Sequence, residues 1–215
     1  MNNSLKIILV DTSINDFSFF EAFNLISSYR KERTRRYLKE EDKINCLACG
    51  LLERLYVPYE IKINKFGKPY VDEKLFFNLS HSGNIVGLVL SKEDEVGIDL
   101  EKFKEIKKDL IDYSLAAEEK EYVKDEKDFF KIWTLKEACA KANGKGITNP
   151  KEDKCFLIDD NTVSFYEKTL HFSHKFLENG GNQYSLCVVS NKKIDEVEEE
   201  KFSIGELIKR VNQLG

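Results

Sequence analysis

The sequence predicts an α+β fold, a mixed α/β arrangement built from two similar halves. Its 215 residues suffice for one large domain or for two units of roughly 100 residues. Helical and strand periodicities follow one another along the chain. The segments FNLSHSGNIVGLVLS (77–91) and HFSHKFLENGGNQYSLCVVS (171–190) share a Ser-His pair, a Gly-Asn pair and a closing apolar strand, which indicates an internal duplication. We therefore divide the chain into halves at 1–95 and 96–215.

The first half begins with a strand and continues with helices. The apolar run at 5–10 is too short for a signal-peptide core or a membrane span and predicts the first strand. Apolar residues at helical spacing predict a helical region over 17–57, with the charged run YRKERTRRYLKEED inside it. Alternation and a Gly-Lys-Pro turn follow in YEIKINKFGKPYV. Strands are then predicted over 75–81 and 85–91.

The second half begins with a strand at 96–101. Two helices are predicted next, over 106–123 and 127–143, and the sequence NGKG ends the second of them. The region 154–190 is rich in strand patterns, of which QYSLCVVS is the clearest. An acidic run and a short helix near 203–213 follow.

Composition and charge narrow the functional class. The chain is 41% hydrophobic and 33% charged, as expected of a soluble globular protein, and it contains no apolar run of transmembrane length. We therefore expect a cytoplasmic protein without a membrane partner. The net charge is −4, which argues against a general affinity for nucleic acid because such binding neutralises many phosphates. Local basic clusters can still bind one phosphorylated small molecule.

Cysteine and histidine patterns favour packing over metal binding. Cys46 and Cys49 form a CxxC without a second pair, inside NCLACGLLERLYV, and the pattern favours a buried helical face over a redox or zinc pair. His171 and His174 lie in a predicted strand without acidic or thiol residues at ligand spacing.

The stretch GIDLE (97–101) presents two carboxylates on one side of a strand. Side chains alternate between faces, so the apolar residues point to a core, whereas Gly97, Asp99 and Glu101 share the other face. Two neighbouring carboxylates repel each other unless a cation lies between them, and magnesium prefers such oxygen ligands. We expect Gly97 to leave this face open to a bulky ligand. The alternative is a solvated acidic strand face.

The helical stretch WTLKEACAK (133–141) carries a third acid and two lysines. Glu137 and Lys141 share a helix face, where a surface pair would contribute only about 0.2–0.5 kcal/mol. The surrounding residues are mostly apolar, so Glu137, Lys136 and Lys141 need partners. A metal ion would partner the acid, and a phosphate would partner a lysine.

His81 ends a strand before a serine and a glycine. It is either a capped structural residue or, when protonated, a contact for an anion.

Four segments occur together in a suggestive order: GKP (67–69), FNLSHSG (77–83), GIDLE (97–101) and WTLKEACAK (133–141). Together they resemble the 4′-phosphopantetheinyl transferase superfamily, in its monomeric type that activates surfactin synthetase, over about 30–190. The resemblance implies two α/β halves related by a pseudo-twofold, with coenzyme A and the active site at their interface. It also implies transfer of the phosphopantetheine arm of coenzyme A to a serine of an apo acyl or peptidyl carrier protein, which releases adenosine 3′,5′-bisphosphate.

The resemblance assigns roles to the acids and lysines. Asp99, Glu101 and Glu137 resemble the ligands of Mg²⁺, with Mn²⁺ equally compatible with these oxygens. The cation would neutralise charge that develops on the leaving group. Lys141 resembles the catalytic lysine that contacts the pyrophosphate, and Lys136 its helper.

The general base has two candidates. Glu118 in EEKEY resembles an extra carboxylate near the metal, and Glu137 competes with it. Glu119 could take the place of Glu118, because the spacing before this segment is irregular.

A second set of residues resembles the binding site for the nucleotide of coenzyme A. Ser80 and His81 resemble contacts to the 3′-phosphate, Lys68 and Pro69 resemble the turn that lines the adenine, and Arg30 and Arg33 occupy basic positions that reach the same phosphate.

Two points about this nucleotide site stay open. Arg30 and Arg33 are alternatively part of a solvated charged helix. Asn45 stands where similar enzymes often have a basic residue, which would weaken phosphate binding or shift it to Arg35 or Arg36.

Two other functions fit the same residues. Three acids and a lysine also suit a magnesium-dependent phosphohydrolase or nuclease. A module that binds coenzyme A or a carrier protein without turnover is the non-enzymatic alternative. The sequence does not indicate which carrier protein or pathway the chain serves.

Overall fold

The computed structural model of the chain describes residues 3–214. Within them the chain forms seven helices and eleven strands, so the predicted α+β class is confirmed. None of the described helices is long and apolar enough to cross a bilayer.

The strands are β1 (Ser4–Asp11), β2 (Lys62–Ile63), β3 (Pro69–Tyr70), β4 (Phe76–Ser82), β5 (Ile85–Ser91), β6 (Val96–Lys102), β7 (Cys155–Asp159), β8 (Thr162–Phe165), β9 (Lys168–Asn179), β10 (Asn182–Ser190) and β11 (Glu196–Ser203). The helices are α1 (Phe19–Leu25), α2 (Ser28–Arg36), α3 (Glu40–Tyr56), α4 (Lys108–Ser114), α5 (Ala117–Lys120), α6 (Glu126–Asn143) and α7 (Ile204–Asn212).

The predicted helical regions are interrupted in the structure. The region 17–57 forms three helices, and Ser18 and Ser27 cap the first two by accepting hydrogen bonds from backbone N–H groups. The region 106–123 forms two short helices, with an extended break at Leu115 and Ala116. Serine caps and extended residues end helical geometry locally, although the apolar spacing continues across them.

Two sheets form the framework. The first has the order β11-β1-β5-β4 and the second the order β6-β10-β9-β8-β7, while β2 and β3 form a separate ribbon. All pairs are antiparallel except β1 with β11, which is parallel.

The sheets and helices stack in four layers. Helices α3 and α7 pack on the outer face of the first sheet. The inner face packs against the second sheet through apolar residues of β1, β5, β6 and β10, among them Ile98 and Leu100, as predicted. Helix α6 covers the outer face of the second sheet. The order is therefore helix, sheet, sheet, helix.

A row of side-chain hydrogen bonds joins the two sheets. Strand β4 is an edge of the first sheet and β6 an edge of the second. The side chains of β4 accept hydrogen bonds from backbone N–H groups of β6: Asn78 from Ile98 (3.1 Å), Ser80 from Leu100 (3.3 Å) and Ser82 from Lys102 (2.9 Å). These bonds satisfy N–H groups that an edge strand would otherwise leave without a partner.

The predicted boundary between 95 and 96 falls just before β6, the first strand of the second sheet. However, β11 and α7 return to the first half, where β11 pairs with β1 and α7 contributes Leu207, Ile208 and Val211 to the core under α3. The division at this boundary therefore omits a strand and a helix from the first half. The predicted pseudo-twofold stays a prediction.

Candidate active site

A pocket of about 480 Å³ lies between the two halves. Its walls come from α2, α3, the turn between β2 and β3, and β4 on one side, and from β6 and α6 on the other. All but two of the predicted site residues line it: Arg30, Arg33, Lys68, Pro69, Ser80, His81, Asp99, Glu101, Glu137 and Lys141. Glu118 and Lys136 do not.

Gly97 allows β6 and α6 to approach each other closely. A Cβ atom on Gly97 would lie 2.0 Å from the carbonyl oxygen of Ala138 and 2.6 Å from the backbone nitrogen of Ala142. Helix α6 therefore crosses β6 directly over this glycine, and only the missing side chain permits that approach. The expectation that Gly97 opens the strand face to a ligand is wrong, because the backbone of α6 fills that space.

Asp99 is the most buried acid of the site, with 4% of its surface exposed. Its Oδ1 accepts hydrogen bonds from the Lys141 ammonium at 2.5 Å and from the Ser80 hydroxyl at 3.0 Å. Its Oδ2 is buried and has no hydrogen-bond partner among the described residues. A buried carboxylate oxygen without a partner is costly, and it therefore suits a position that receives a ligand.

The other two acids have raised pKa values. Burial and the negative charge of Asp99 raise the pKa of Glu101. Burial and Asp99 also raise the pKa of Glu137, to about 7, although the Lys141 ammonium opposes the shift. Burial is the largest cause of both shifts, and the like charge of Asp99 adds to it.

The donor set fits a divalent cation. Within residues 3–214, no group of three or more His, Cys, Asp or Glu side chains already has the arrangement of a metal site. However, three carboxylates converge on one pocket wall, and one of them keeps a buried oxygen without a partner. Hard oxygen ligands of this kind suit Mg²⁺ or Mn²⁺.

Ser80 positions the charged groups. Its Oγ donates to Asp99 and accepts from the backbone N–H of Leu100 (3.3 Å) and from the Lys141 ammonium (3.0 Å). One donor and two acceptor positions are all that a hydroxyl offers. The hydroxyl therefore holds Asp99 and Lys141 in place, and the contact of Ser80 with a phosphate stays a prediction.

His81 lies in the pocket wall and is exposed. Burial and the nearby Lys141 ammonium lower its pKa below the ordinary value. A lowered pKa favours the neutral ring near pH 7.

Arg30 and Arg33 both reach the pocket from α2. Arg30 is 6% exposed, and its Nε and Nη2 donate to the Glu53 carboxylate at 2.8 and 2.5 Å. Burial opposes the charged form, but the bond to Glu53 raises the pKa of Arg30 above its ordinary range. Arg33 donates to the hydroxyls of Tyr29 and Tyr37, each at 3.3 Å. Arg30 is thus not part of a solvated helix face.

The turn containing Lys68 and Pro69 forms a wall that is tied to α6. The Lys68 ammonium bonds to the Glu95 carboxylate and to the carbonyl oxygen of Ala142 (3.3 Å). The Asn64 amide donates to the carbonyl oxygen of Gly144 at 3.1 Å. These bonds fix the turn to the C-terminal end of α6.

The comparisons with known proteins agree with this geometry. The profile of the 4′-phosphopantetheinyl transferase superfamily matches residues 95–189, which include β6 and α6. The chain is 34% identical to 4′-phosphopantetheinyl transferase gsp of Aneurinibacillus migulanus over 65% of each chain. It is 32% identical to a 4′-phosphopantetheinyl transferase of Bacillus subtilis over 65% of this chain and 70% of that protein. The chain belongs to the 4′-phosphopantetheinyl transferase superfamily.

A third relative within the superfamily is 4′-phosphopantetheinyl transferase Sfp of Bacillus subtilis strain 168, 30% identical over 59% of this chain and 64% of that protein. The chain therefore spans just under two thirds of the length of the gsp and Sfp proteins.

Two predicted residues of this superfamily member lie outside the pocket. Lys136 is fully buried, and its ammonium bonds to the Glu119 carboxylate at 2.6 Å and to the carbonyl oxygen of Pro150. Glu118 is exposed and bonds to Lys154 at 2.7 Å. The structure thus does not bring Lys136 and Glu118 to the pocket wall, and their predicted roles stay predictions. Glu119 cannot replace Glu118, because it is the buried partner of Lys136.

Several pocket residues were not predicted as site residues. Tyr37 and Phe66 supply aromatic surface, and Cys46 and Cys49 line the pocket from α3. Both thiols are free and buried, and Cys49 also packs in the first core, which agrees with the predicted helical face. No local sequence pattern predicts these residues as pocket residues, because the pocket forms only where the two halves pack against each other.

Asn45 is a buried structural residue of α3. It is 1% exposed, accepts from the Thr12 hydroxyl (2.9 Å) and donates to the carbonyl oxygen of Gly83 (2.9 Å). It therefore fixes the turn that follows His81.

Proposed function

We propose that this chain transfers the 4′-phosphopantetheine arm of coenzyme A to a serine hydroxyl of an apo acyl or peptidyl carrier protein. The by-product is adenosine 3′,5′-bisphosphate, and the reaction requires Mg²⁺ or Mn²⁺. The observation that carries the proposal is the meeting of Asp99, Glu137 and Lys141 in one pocket between the halves. Membership of the superfamily supports the reaction class.

Asp99, Glu101 and Glu137 would hold the metal ion. When bound, the cation neutralises negative charge on the pyrophosphate as its bond to the transferred group breaks. Lys141 binds the same pyrophosphate with its ammonium, which Asp99 and Ser80 already hold at 2.5 and 3.0 Å. Prior orientation by these two residues means that little rearrangement is needed when charge develops.

Glu137 is the better candidate for the general base. Its carboxylate lines the pocket that contains Lys141, where the serine proton has to be accepted. The serine oxygen forms a bond to phosphorus, the bond from that phosphorus to the adenosine 3′,5′-bisphosphate oxygen breaks, and Glu137 takes the serine proton. The surface position of Glu118 supports this choice.

The charges of the pocket suggest the orientation of coenzyme A. The pyrophosphate reacts, so it belongs at the acidic end with the metal and Lys141. The ribose 3′-phosphate is then left to the basic end, formed by Arg30, Arg33 and His81. The turn with Lys68 and Pro69 would line the adenine. On the resemblance to the family, the chain would act as a cytoplasmic monomer. The net charge of −4 argues against a nucleic-acid partner.

The decisive experiment is incubation with coenzyme A, Mg²⁺ and a panel of apo carrier proteins, followed by intact mass measurement. We expect one phosphopantetheine on the carrier serine, and its loss with a chelator and in Asp99→Asn and Glu137→Gln. Glu118→Gln serves as the matched control. Phosphate release from simple esters without carrier modification would favour a phosphohydrolase or nuclease instead. Tight coenzyme A binding without any transfer would favour a non-catalytic binding module.

A further inference from the structure

The basic end of the pocket contains less free positive charge than its residue types suggest. Four cations line the pocket: Arg30, Arg33, Lys68 and Lys141. Three of them bond to a carboxylate, namely Arg30 to Glu53, Lys68 to Glu95 and Lys141 to Asp99. Arg33 bonds only to tyrosine hydroxyls. Among the described pocket-lining side chains, Arg33 is thus the cation without an acidic partner.

The ion pair of Arg30 and Glu53 is buried, since both side chains are 7% exposed. Two parallel N–H donors of Arg30 bond to the two oxygens of Glu53. This bidentate geometry is the strongest form of an arginine ion pair. Three N–H donors of Arg30 remain, two on Nη1 and one on Nη2. The field of the guanidinium is nevertheless largely cancelled by the adjacent carboxylate.

The other polar groups near this end add no positive charge. Asn45 is neutral, and both ends of its amide are engaged by Thr12 and Gly83. Burial and Lys141 lower the pKa of His81, so its ring is neutral before a ligand binds. A phosphate monoester carries nearly two negative charges near neutral pH. At this end it therefore meets one uncompensated cation and a set of neutral donors.

We infer that Glu53 sets the nucleotide specificity of the pocket by neutralising Arg30, so that the chain accepts coenzyme A lacking its ribose 3′-phosphate nearly as well as coenzyme A itself. This inference rests on the proposed function. The reaction with the shorter donor is the same exchange. The serine oxygen bonds to phosphorus, Glu137 takes the proton, and adenosine 5′-monophosphate leaves in place of the bisphosphate.

The test compares coenzyme A with 3′-dephospho-coenzyme A in the presence of Mg²⁺. Two ratios are measured, the ratio of Kd values by calorimetry and the ratio of kcat/KM values for carrier modification. In the unmodified chain both should favour coenzyme A by less than about tenfold, the contribution of roughly one charge-assisted hydrogen bond. Glu53→Gln keeps an acceptor for Arg30 but leaves its charge unpaired, and should raise the preference about tenfold further.

Two variants complete the series. Arg33→Gln removes the free cation and should bring the preference close to one, which provides a test even where Glu53→Gln lowers stability. Glu32→Gln removes the same negative charge as Glu53→Gln, but from the exposed face of α2, where Glu32 bonds to Arg36, and is the matched control. Its preference should equal that of the unmodified chain.

The outcomes separate this inference from the proposed function. Carrier modification with a preference for coenzyme A above about a hundredfold keeps the proposed function and overturns the inference. An unchanged preference in folded Glu53→Gln overturns it as well. Similar Kd values for both nucleotides without transfer to any carrier support the inference and overturn the proposed function.

Discussion

Gly97 of β6 lies so close to Ala138 of α6 that a Cβ atom on the glycine would stand 2.0 Å from the alanine carbonyl oxygen. No side-chain rotation relieves such a contact, since both partners are backbone. The Gly97→Ala variant should therefore push α6 away from β6, lower the free energy of unfolding by about 3 kcal/mol and abolish transfer activity.

Urea unfolding followed by circular dichroism measures this effect. Gly87→Ala is the control, because a Cβ atom there meets the flexible end of Ile98 at 3.0 Å. It should lower the free energy of unfolding by about 1 kcal/mol. Equal effects of the two substitutions would show that the close approach of α6 is not required.

The general base is tested by two glutamine substitutions. Glu137→Gln removes the half-buried carboxylate of the pocket and should lower kcat by about 10²–10⁴-fold. Glu118→Gln removes an exposed partner of Lys154, and kcat should stay within about twofold of the unmodified chain. Steady-state rates of carrier modification decide between them. A large loss of kcat in Glu118→Gln alone would assign the role of general base to Glu118.

The two lysines of α6 should respond in opposite ways. Lys136→Met leaves the Glu119 carboxylate buried without its partner, and should lower the free energy of unfolding by about 3–5 kcal/mol. The KM for coenzyme A of the folded variant should change little. Lys141→Met should instead lower kcat by about 10²–10³-fold while the protein stays folded. Paired unfolding and rate measurements on both variants check this contrast, and a raised KM in Lys136→Met would contradict it.

His174 should make stability depend on pH. Its ring bonds to the Ser185 hydroxyl at 2.8 Å, and burial together with the charge of Lys131 lowers its pKa from 6.5 to about 4. Between these values the unfolded chain binds a proton that the folded chain does not. The stability that depends on a neutral His174 ring is therefore fully present above pH 6.5 and is lost as the pH falls towards 4. The free energy of unfolding should fall by about 2–3 kcal/mol over this range.

The measurement is the free energy of unfolding between pH 4 and 7.5 for the unmodified chain and for His174→Gln. The difference between the two curves isolates His174 from the carboxylates that titrate in the same range. Parallel curves would refute the prediction.

Much of the fold follows from local periodicity. Alternation located β4, β5 and β6 to within a residue or two, because each of these strands has one face in an apolar layer. Strand β11 was missed: its exposed acidic residues do not alternate with a buried face, and it forms by pairing with β1, some 190 residues away in sequence. Pairing at such a distance leaves no local signal.

Local patterns likewise predict some relationships between the site residues and not others. Glu137 and Lys141 are one helical repeat apart, and the structure places both in the pocket. Lys136 is five positions before Lys141, about 140° around the helix, so helix geometry already separates the two lysines. No local pattern indicates that Arg30 pairs with Glu53, because these residues lie on different helices whose packing is a tertiary property.

The return of β11 and α7 to the first sheet affects the order in which the protein can assemble during synthesis. Strand β1 leaves the ribosome well before its parallel neighbour, which comprises residues 196–203. Until that segment has been translated, β1 keeps an unpaired edge, and the apolar face of α3 lacks the cover of α7. The first sheet and its core therefore stay incomplete while the strands of the second sheet are synthesised. A nascent chain stalled before residue 196 should bind chaperones through this uncovered surface.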